Sequence, residues 1–198
     1  MHSGFVSRHR IDALVDGVMA ITMTLLVLEL RVPDLGGGAF WNAIVAIEAK
    51  FISWIVSFLI LALFWVGQAR SFRHVVEVDA ALFWLVIFWL LLSSLIPFSS
   101  ALIGEHNEFS GSHFIYAANL LGVMGLATWR NVYIERHREL SGAATDERVD
   151  AGWLNFGMLG ICAGASVALA FYAAPYASIP YVLMFPFSLG LVRRKRKA

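Results

Sequence analysis

Long apolar runs separated by short polar connectors dominate the chain. A transmembrane helix needs about 20 consecutive, mostly apolar residues, and stretches of roughly this length recur along the whole sequence. They predict six membrane spans, at residues 13–30, 51–68, 80–103, 114–133, 153–173 and 178–192. The last span is short and contains Pro180 and Pro186, and the third carries Pro97 near its end.

The basic residues alternate between connectors as six spans require. Cytoplasmic loops of membrane proteins are enriched in Lys and Arg. Of the 15 basic residues, 13 fall at the two chain ends and in the connectors around residues 70–73 and 130–148, whereas Arg31 and Lys50 alone fall on the other side. The sequence therefore predicts an all-α membrane protein. Residues 1–198 would form a single six-helix domain with both termini in the cytoplasm.

The composition agrees with a chain that faces lipid over most of its surface. Hydrophobic residues make up 59% of it, charged residues only 15%, and the mean hydropathy is +0.71. A water-soluble domain has about a quarter of its residues charged. The sequence has no cluster of His, Cys or carboxylates with metal-ligand spacing, no HExxH and no phosphate-binding Gly-rich loop. We therefore expect a bilayer protein that is not an enzyme, with no cofactor, metal or nucleic-acid partner.

Acidic residues set the first predicted helix apart from the others. Asp12 and Asp16 lie towards its cytoplasmic end, and Glu29 lies at the opposite end. An ionised group within a bilayer costs several kcal/mol unless it is paired or wet. Asp12 is expected at the membrane surface, in water. Asp16 lies deeper, so we expect it to have a buried partner or a water-filled vestibule.

Helical geometry sorts the positions of this helix into faces. At about 100° per residue, an apolar stripe with one hydroxyl layer contains Leu14, Gly17, Ile21, Thr24, Leu25 and Leu28. Asp16 lies about 140° from Ile21 on the same projection. If the stripe lined a pore, the carboxylate would point back into the helix bundle. Ordinary packing between membrane helices would also explain an apolar stripe, and geometry leaves both interpretations open.

The same helix resembles the signature helix of transmembrane protein 175, the lysosomal potassium channel family that has bacterial homologues. That signature is Arg-x-x-x-Phe-Ser-Asp, followed by a helix that ends near Leu-Glu-Leu-x-Val-Pro. Arg10 and Asp16 have the spacing of its charged residues, and residues 17–18, 20–21, 24–30 and 32–33 resemble the rest. Further similarity lies in the next two spans, at Ser57-Phe58, Trp65, Asp79 and Pro97-Phe98.

The resemblance implies a role for each matching position of the first helix. Ile21 would form the narrow hydrophobic constriction of a central pore, with Leu25 and Leu28 lining the pore above it. Thr24 would supply the hydroxyl layer linked to a preference for potassium, and this preference would be modest. Arg10 and Asp16 would belong to a polar network that braces the helix.

The resemblance also implies an assembly and a place in the cell. Bacterial members look like single six-helix repeats that assemble as tetramers. The expected form is therefore a homotetramer in the lipid bilayer of a bacterial inner membrane, with potassium ions as the permeant species.

Several positions depart from the family pattern. Leu14 and Val15 replace the Phe-Ser pair, Gln68 stands where members usually carry His, and Val86 stands where the third helix usually has Asn. The bracing network would therefore lack three of its hydrogen-bonding partners. The pore positions implied above are not affected.

Other functional classes compete with the channel. A proton-coupled transporter would use Asp16 and Glu29 as proton carriers, but the sequence shows no broken helix or inverted repeat of the kind that transporters use. A membrane enzyme would need polar groups converging at one depth, and few are present. A third alternative is a non-catalytic membrane scaffold, which nothing in the sequence excludes.

Overall fold

The computed structural model describes residues 5–30, 47–141, 153–172, 177 and 179–183 of the chain. The helices are α1 (Arg8–Leu28), α2 (Glu48–Phe72), α3 (Ala80–Ser94), α4 (Ile96–Glu105), α5 (Ser110–Arg136) and α6 (Trp153–Tyr172). A 3-10 turn (Arg138–Leu140) follows α5, and residues 179–183 are helical. Among these residues the one extended pairing is an isolated antiparallel bridge between Val75 and Ser141. The prediction of an all-α protein is confirmed.

Among the residues that the structure describes, three segments are long and apolar enough to cross a membrane: Arg8–Leu28, Lys50–Phe72 and Ala80–Glu105. They overlap the first three predicted spans. Helix α5 covers the fourth, and α6 covers the fifth with a shorter apolar stretch, Gly157–Tyr172. The sixth predicted span lies mainly outside the described residues.

Helix α5 is long but less apolar in sequence than its neighbours, because it contains many polar side chains. Most of these polar side chains face the protein interior. A helix of 27 residues is about 40 Å long. Its buried polar residues are Ser112, His113, Thr128, Arg130 and Asn131. Sequence hydropathy therefore underestimates how apolar its outer surface is.

The third predicted span is two helices rather than one. Helix α3 ends at Ser94, a turn at Leu95 follows, and α4 begins at Ile96. Pro97 explains the break, because it has no backbone N–H and its ring would collide with the carbonyl group four residues earlier, that of Ser93. The Leu95 amide instead donates to the Leu92 carbonyl at 3.2 Å, which tightens the turn.

The helices pack into one bundle in which α1 contacts α2, α3 and α4. Helix α5 contacts α3 and α4 on one side and α6 on the other. Apolar side chains from every layer fill the centre, among them Met19, Leu61, Leu82, Trp89 and Leu120. Within the described part of the chain, α1 is therefore an outer helix that its neighbours cover on one side.

Backbone hydrogen bonds fix the end of the bundle where α1 begins. The connector at residues 73–79, between α2 and α3, receives the Arg8 guanidinium, whose Nη1 donates to the Val75 carbonyl at 3.0 Å. From the other side, the Val76 amide donates to the Leu140 carbonyl at 2.8 Å. The start of α1 and the segment after α5 are therefore held by the same connector.

Buried hydroxyl groups join α2 to α4 and α5. The Ser57 hydroxyl donates to Ser100 Oγ at 2.8 Å and lies 2.8 Å from the Tyr116 hydroxyl. The Ser53 hydroxyl donates to the Ser100 carbonyl at 2.9 Å. Serine side chains thus allow close helix contact and satisfy one another without water.

We predict that Ser57→Ala destabilises the protein, because it removes a shared partner of two buried hydroxyl groups. The expected loss is about 1–2 kcal/mol of unfolding free energy, seen as a lower melting temperature in detergent. Ser94→Ala is the matched control, since Ser94 is exposed and bonds only to the Leu91 carbonyl of its own helix. Equal melting temperatures for the two variants would contradict this account of the cluster.

Candidate pore-lining face of the first helix

Helix α1 has two faces that differ in burial. One face is buried against the bundle and contains Ile11, Val15, Met19, Thr22 and Leu26. Their spacing of three or four residues puts them on one side of the helix. The opposite side is exposed and contains the stripe positions Leu14, Gly17, Ile21, Thr24, Leu25 and Leu28. We call these six residues the α1 stripe.

The α1 stripe presents large apolar side chains that no part of the described chain covers. Ile21 is 60% exposed, Leu28 is 65% exposed and Leu25 is 43% exposed. From Leu14 to Leu28 the stripe runs for about 21 Å along the helix axis. The structure therefore brings the predicted constriction residues together on one surface of the subunit.

Thr24 contributes an oriented hydroxyl group to this stripe. Its Oγ1 donates a hydrogen bond to the Ile21 carbonyl at 2.8 Å. A hydroxyl group has one hydrogen and two acceptor lone pairs, so this bond leaves the lone pairs available to an outside group. Thr22 is buried on the other face, where its hydroxyl donates to the Val18 carbonyl at 2.8 Å. Of the two threonines, only Thr24 offers its oxygen to the exposed side.

Asp16 is exposed and hydrogen-bonded at the flank of the stripe. Trp65 of α2 donates from Nε1 to Asp16 Oδ1 at 2.8 Å, and Trp65 is itself 40% exposed. A pore-lining stripe was expected to leave this carboxylate pointing into the bundle; in the single subunit it is exposed, and its hydrogen-bond partner is Trp65 of the neighbouring helix. The buried face of α1 is centred elsewhere, on Val15 and Met19, and Asp16 lies at its margin.

The structure does not bring Arg10 and Asp16 together. Arg10 is exposed, and no hydrogen bond links the two side chains. Arg8, two residues earlier, forms contacts that Arg10 does not. Its Nε lies 3.3 Å from Asp12 Oδ2, and its Nη1 donates to the Val75 carbonyl in the connector after α2. The sequence offered no signal for this choice, since both arginines stand close to the helix start.

The departures from the family pattern divide between the two sides of α1. Leu14 belongs to the exposed stripe, whereas Val15, Gln68 and Val86 are buried on α1, α2 and α3. Helix α1 packs against both of the other two helices. Neither atom of the Gln68 amide group has a hydrogen-bond partner. The two valines cannot provide one.

The described part of the chain contains no group of three His, Cys, Asp or Glu side chains that could hold a metal ion. Polar atoms of the exposed side of α1 are limited to Thr24 and the flanking charged groups. Weak, transient contact with a passing ion is the chemistry that such a surface can offer.

Comparison with known proteins gives consistent results. Residues 10–97 match the family described as endosomal/lysosomal potassium channel TMEM175. A potassium channel of Streptomyces collinus is 32% identical over 173 residues, which is 84% of this chain and 84% of that protein. A potassium channel of Chamaesiphon minutus is 31% identical over 120 residues, covering 58% of this chain and 59% of that protein.

The solved structures extend the similarity to the fold. The crystal structure of a lysosomal potassium-selective channel TMEM175 homologue from Chamaesiphon minutus superposes with a TM-score of 0.77 at 25% sequence identity. The match covers 92% of this chain and 96% of that one. Sequence and fold agree over most of the length. The chain is a multi-pass membrane protein that belongs to the TMEM175 family.

Proposed function

We propose that this protein is a potassium channel whose pore is lined by α1 of several identical subunits. The observation that carries the proposal is the α1 stripe, an apolar surface with one hydroxyl layer that the described residues of the subunit leave uncovered. Membership of the TMEM175 family and the names of the relatives support it.

The groups around the stripe favour contact with water or another subunit over contact with lipid. Asp16 is exposed on the same helix, and its bond to Trp65 uses one carboxylate oxygen. A carboxylate facing hydrocarbon would cost several kcal/mol. Lipid chains also have no hydrogen-bond donor for the free lone pairs of the Thr24 hydroxyl oxygen, so contact with lipid alone would leave them unpaired.

In the proposed assembly, four copies of α1 surround one axis as a homotetramer. Four Ile21 side chains then form an apolar ring, and Leu25 and Leu28 continue the lining. A narrow apolar ring blocks ions by losing its water. Opening requires the four helices to spread or rotate until the ring is wide enough to stay wet.

The preference for potassium comes from Thr24 in this proposal. Four hydroxyl oxygens would replace part of the hydration shell of a potassium ion one turn above the ring. A hydroxyl ring is a weaker field than a stack of carbonyl oxygens, so the preference is modest. The hydrogen bond from Thr24 to the Ile21 carbonyl holds the oxygen in position for this role.

Asp16 acts in the proposal by joining α1 to α2 through Trp65, and Arg10 stands at the start of the same helix, beside the pore mouth. Both chain ends lie in the cytoplasm, and the membrane is the inner membrane of a bacterium. The protein needs no cofactor and catalyses no reaction. Potassium is its permeant ion.

We predict that Ile21→Asn raises potassium efflux from liposomes by about tenfold, the effect of lowering a barrier by about 1.4 kcal/mol. The protein is reconstituted with potassium inside and sodium outside, and empty vesicles give the background. Efflux should not saturate with potassium concentration. The variant should also discriminate less between the two ions, because a polar ring stays wet.

Ile161→Asn is the matched control for this variant. Ile161 is 74% exposed and lies on α6, away from the α1 stripe. Its efflux should equal that of the unchanged protein. An Ile21→Asn protein that conducts like the Ile161→Asn protein would contradict the constriction.

We predict that Thr24→Val lowers the ratio of potassium to sodium efflux towards one, because it replaces the oriented oxygen with a methyl group. Thr22→Val is the control, since the buried Thr22 hydroxyl bonds only to its own helix. The ratio is measured from flux or from reversal potentials across a planar bilayer. If both variants changed the ratio equally, the selectivity role of Thr24 would be refuted.

A further inference from the structure

Arg130 is a buried arginine whose charge has no acidic partner among the described residues. It lies on α5 and is 1% exposed. Its guanidinium carbon sits 5.5 Å from the ring centre of Trp89 on α3 and 5.7 Å from that of Phe72 on α2. Its Nη2 donates to Asn131 Oδ1 at 3.3 Å. Its Nε and Nη1 have no hydrogen-bond partner.

Other unpaired N–H groups belong to Trp89, whose ring faces the guanidinium, and to Gln68, which lies one helical turn before Phe72 on α2. The Trp89 indole Nε1 has no hydrogen-bond partner, and neither has the Gln68 amide nitrogen. Gln68 and Phe72 are four residues apart on α2, so their side chains share a helix face. The region between α2, α3 and α5 thus contains four unpaired nitrogen atoms, Arg130 Nε and Nη1, Trp89 Nε1 and Gln68 Nε2, and one unpaired oxygen, Gln68 Oε1.

Such a cation needs a compensating group. A charged side chain inside a membrane domain is expensive unless it is paired or hydrated, and Arg130 does not reach water. The aromatic rings offset part of the cost through cation–π attraction. They cannot accept the hydrogen bonds of Nε and Nη1, which lie in the plane of the guanidinium.

We propose that the space between α2, α3 and α5 binds one small monovalent anion of the chloride class. Arg130 Nε and Nη1 would hold it, with Trp89 Nε1 and Gln68 Nε2 as further donors. An anion only accepts hydrogen bonds, which suits a region where donors outnumber acceptors. A water molecule must also donate, and Gln68 Oε1 is the one unpaired acceptor of the group. A single positive charge matches a single negative one.

The site does not depend on the proposed channel function. None of its residues lies on α1, and its occupation would be visible in protein that conducts nothing. Its effect would be on packing, because a neutralised Arg130 holds α2, α3 and α5 together. The tests therefore measure binding and stability rather than flux.

The first test compares melting temperatures of the purified full-length protein in potassium chloride and in potassium gluconate at equal ionic strength. Chloride at about 100 times its dissociation constant should raise the melting temperature by on the order of 5 °C. Arg130→Met should lose this difference. Arg136→Met should keep it, because Arg136 is an exposed arginine near the end of the same helix. Equal melting temperatures of the unchanged protein in both salts would overturn the proposal, as would loss of the difference in both variants.

The second test needs no variant to fold. Iodide quenches tryptophan fluorescence on contact, and Trp89 is 1% exposed, so iodide in bulk solvent cannot reach it. Iodide bound beside Arg130 should produce a quenching component that saturates and that added chloride competes away. Quenching that rises linearly with iodide and ignores chloride would refute the site. If Trp89→Phe folds, it should lose the saturable component.

Discussion

The burial of one face of α1 against α2, α3 and α4 determines what its other face can do. Ile11, Val15 and Met19 occupy the contact with the bundle. The helix has further apolar residues on its opposite side, and these must face the surroundings of the subunit. In a membrane the choices are lipid, another helix or a pore. The oxygen of Thr24 and the carboxylate of Asp16 on that remaining surface favour the last two choices.

The rest of the bundle follows from the need to pair polar groups away from water. Ser57 and Ser100 pair their hydroxyl groups with each other in the interior. Polar groups on α5 turn inward, which leaves an apolar outer surface. Gln68 and Arg130 keep unpaired atoms in the interior. An interior anion would remove part of that cost, and it would neutralise a charge for which the described residues offer no carboxylate.

The sequence predicted the features that depend on local periodicity. Apolar length located the first three spans, and a 100° rotation per residue placed Ile21, Thr24 and Leu28 on one surface. Features that depend on how helices dock were missed. Nothing local to Asp16 shows that Trp65, on another helix, would donate to it. Burial of Arg130 was equally hidden, because a basic residue near a span end ordinarily reaches the membrane surface. The break at Leu95 was foreseeable from Pro97, but apolar length overrode that signal.

The central claim is that the α1 stripe lines the permeation path. The most direct measurement is the effect of a thiol reagent on potassium conductance after a single cysteine is placed at position 28, with Cys162 replaced by Ser. The account predicts that modification of Leu28→Cys reduces conductance strongly. Modification of Val27→Cys, which is also exposed but lies outside the stripe, should have little effect. Equal sensitivity at both positions, or none at position 28, would contradict the account.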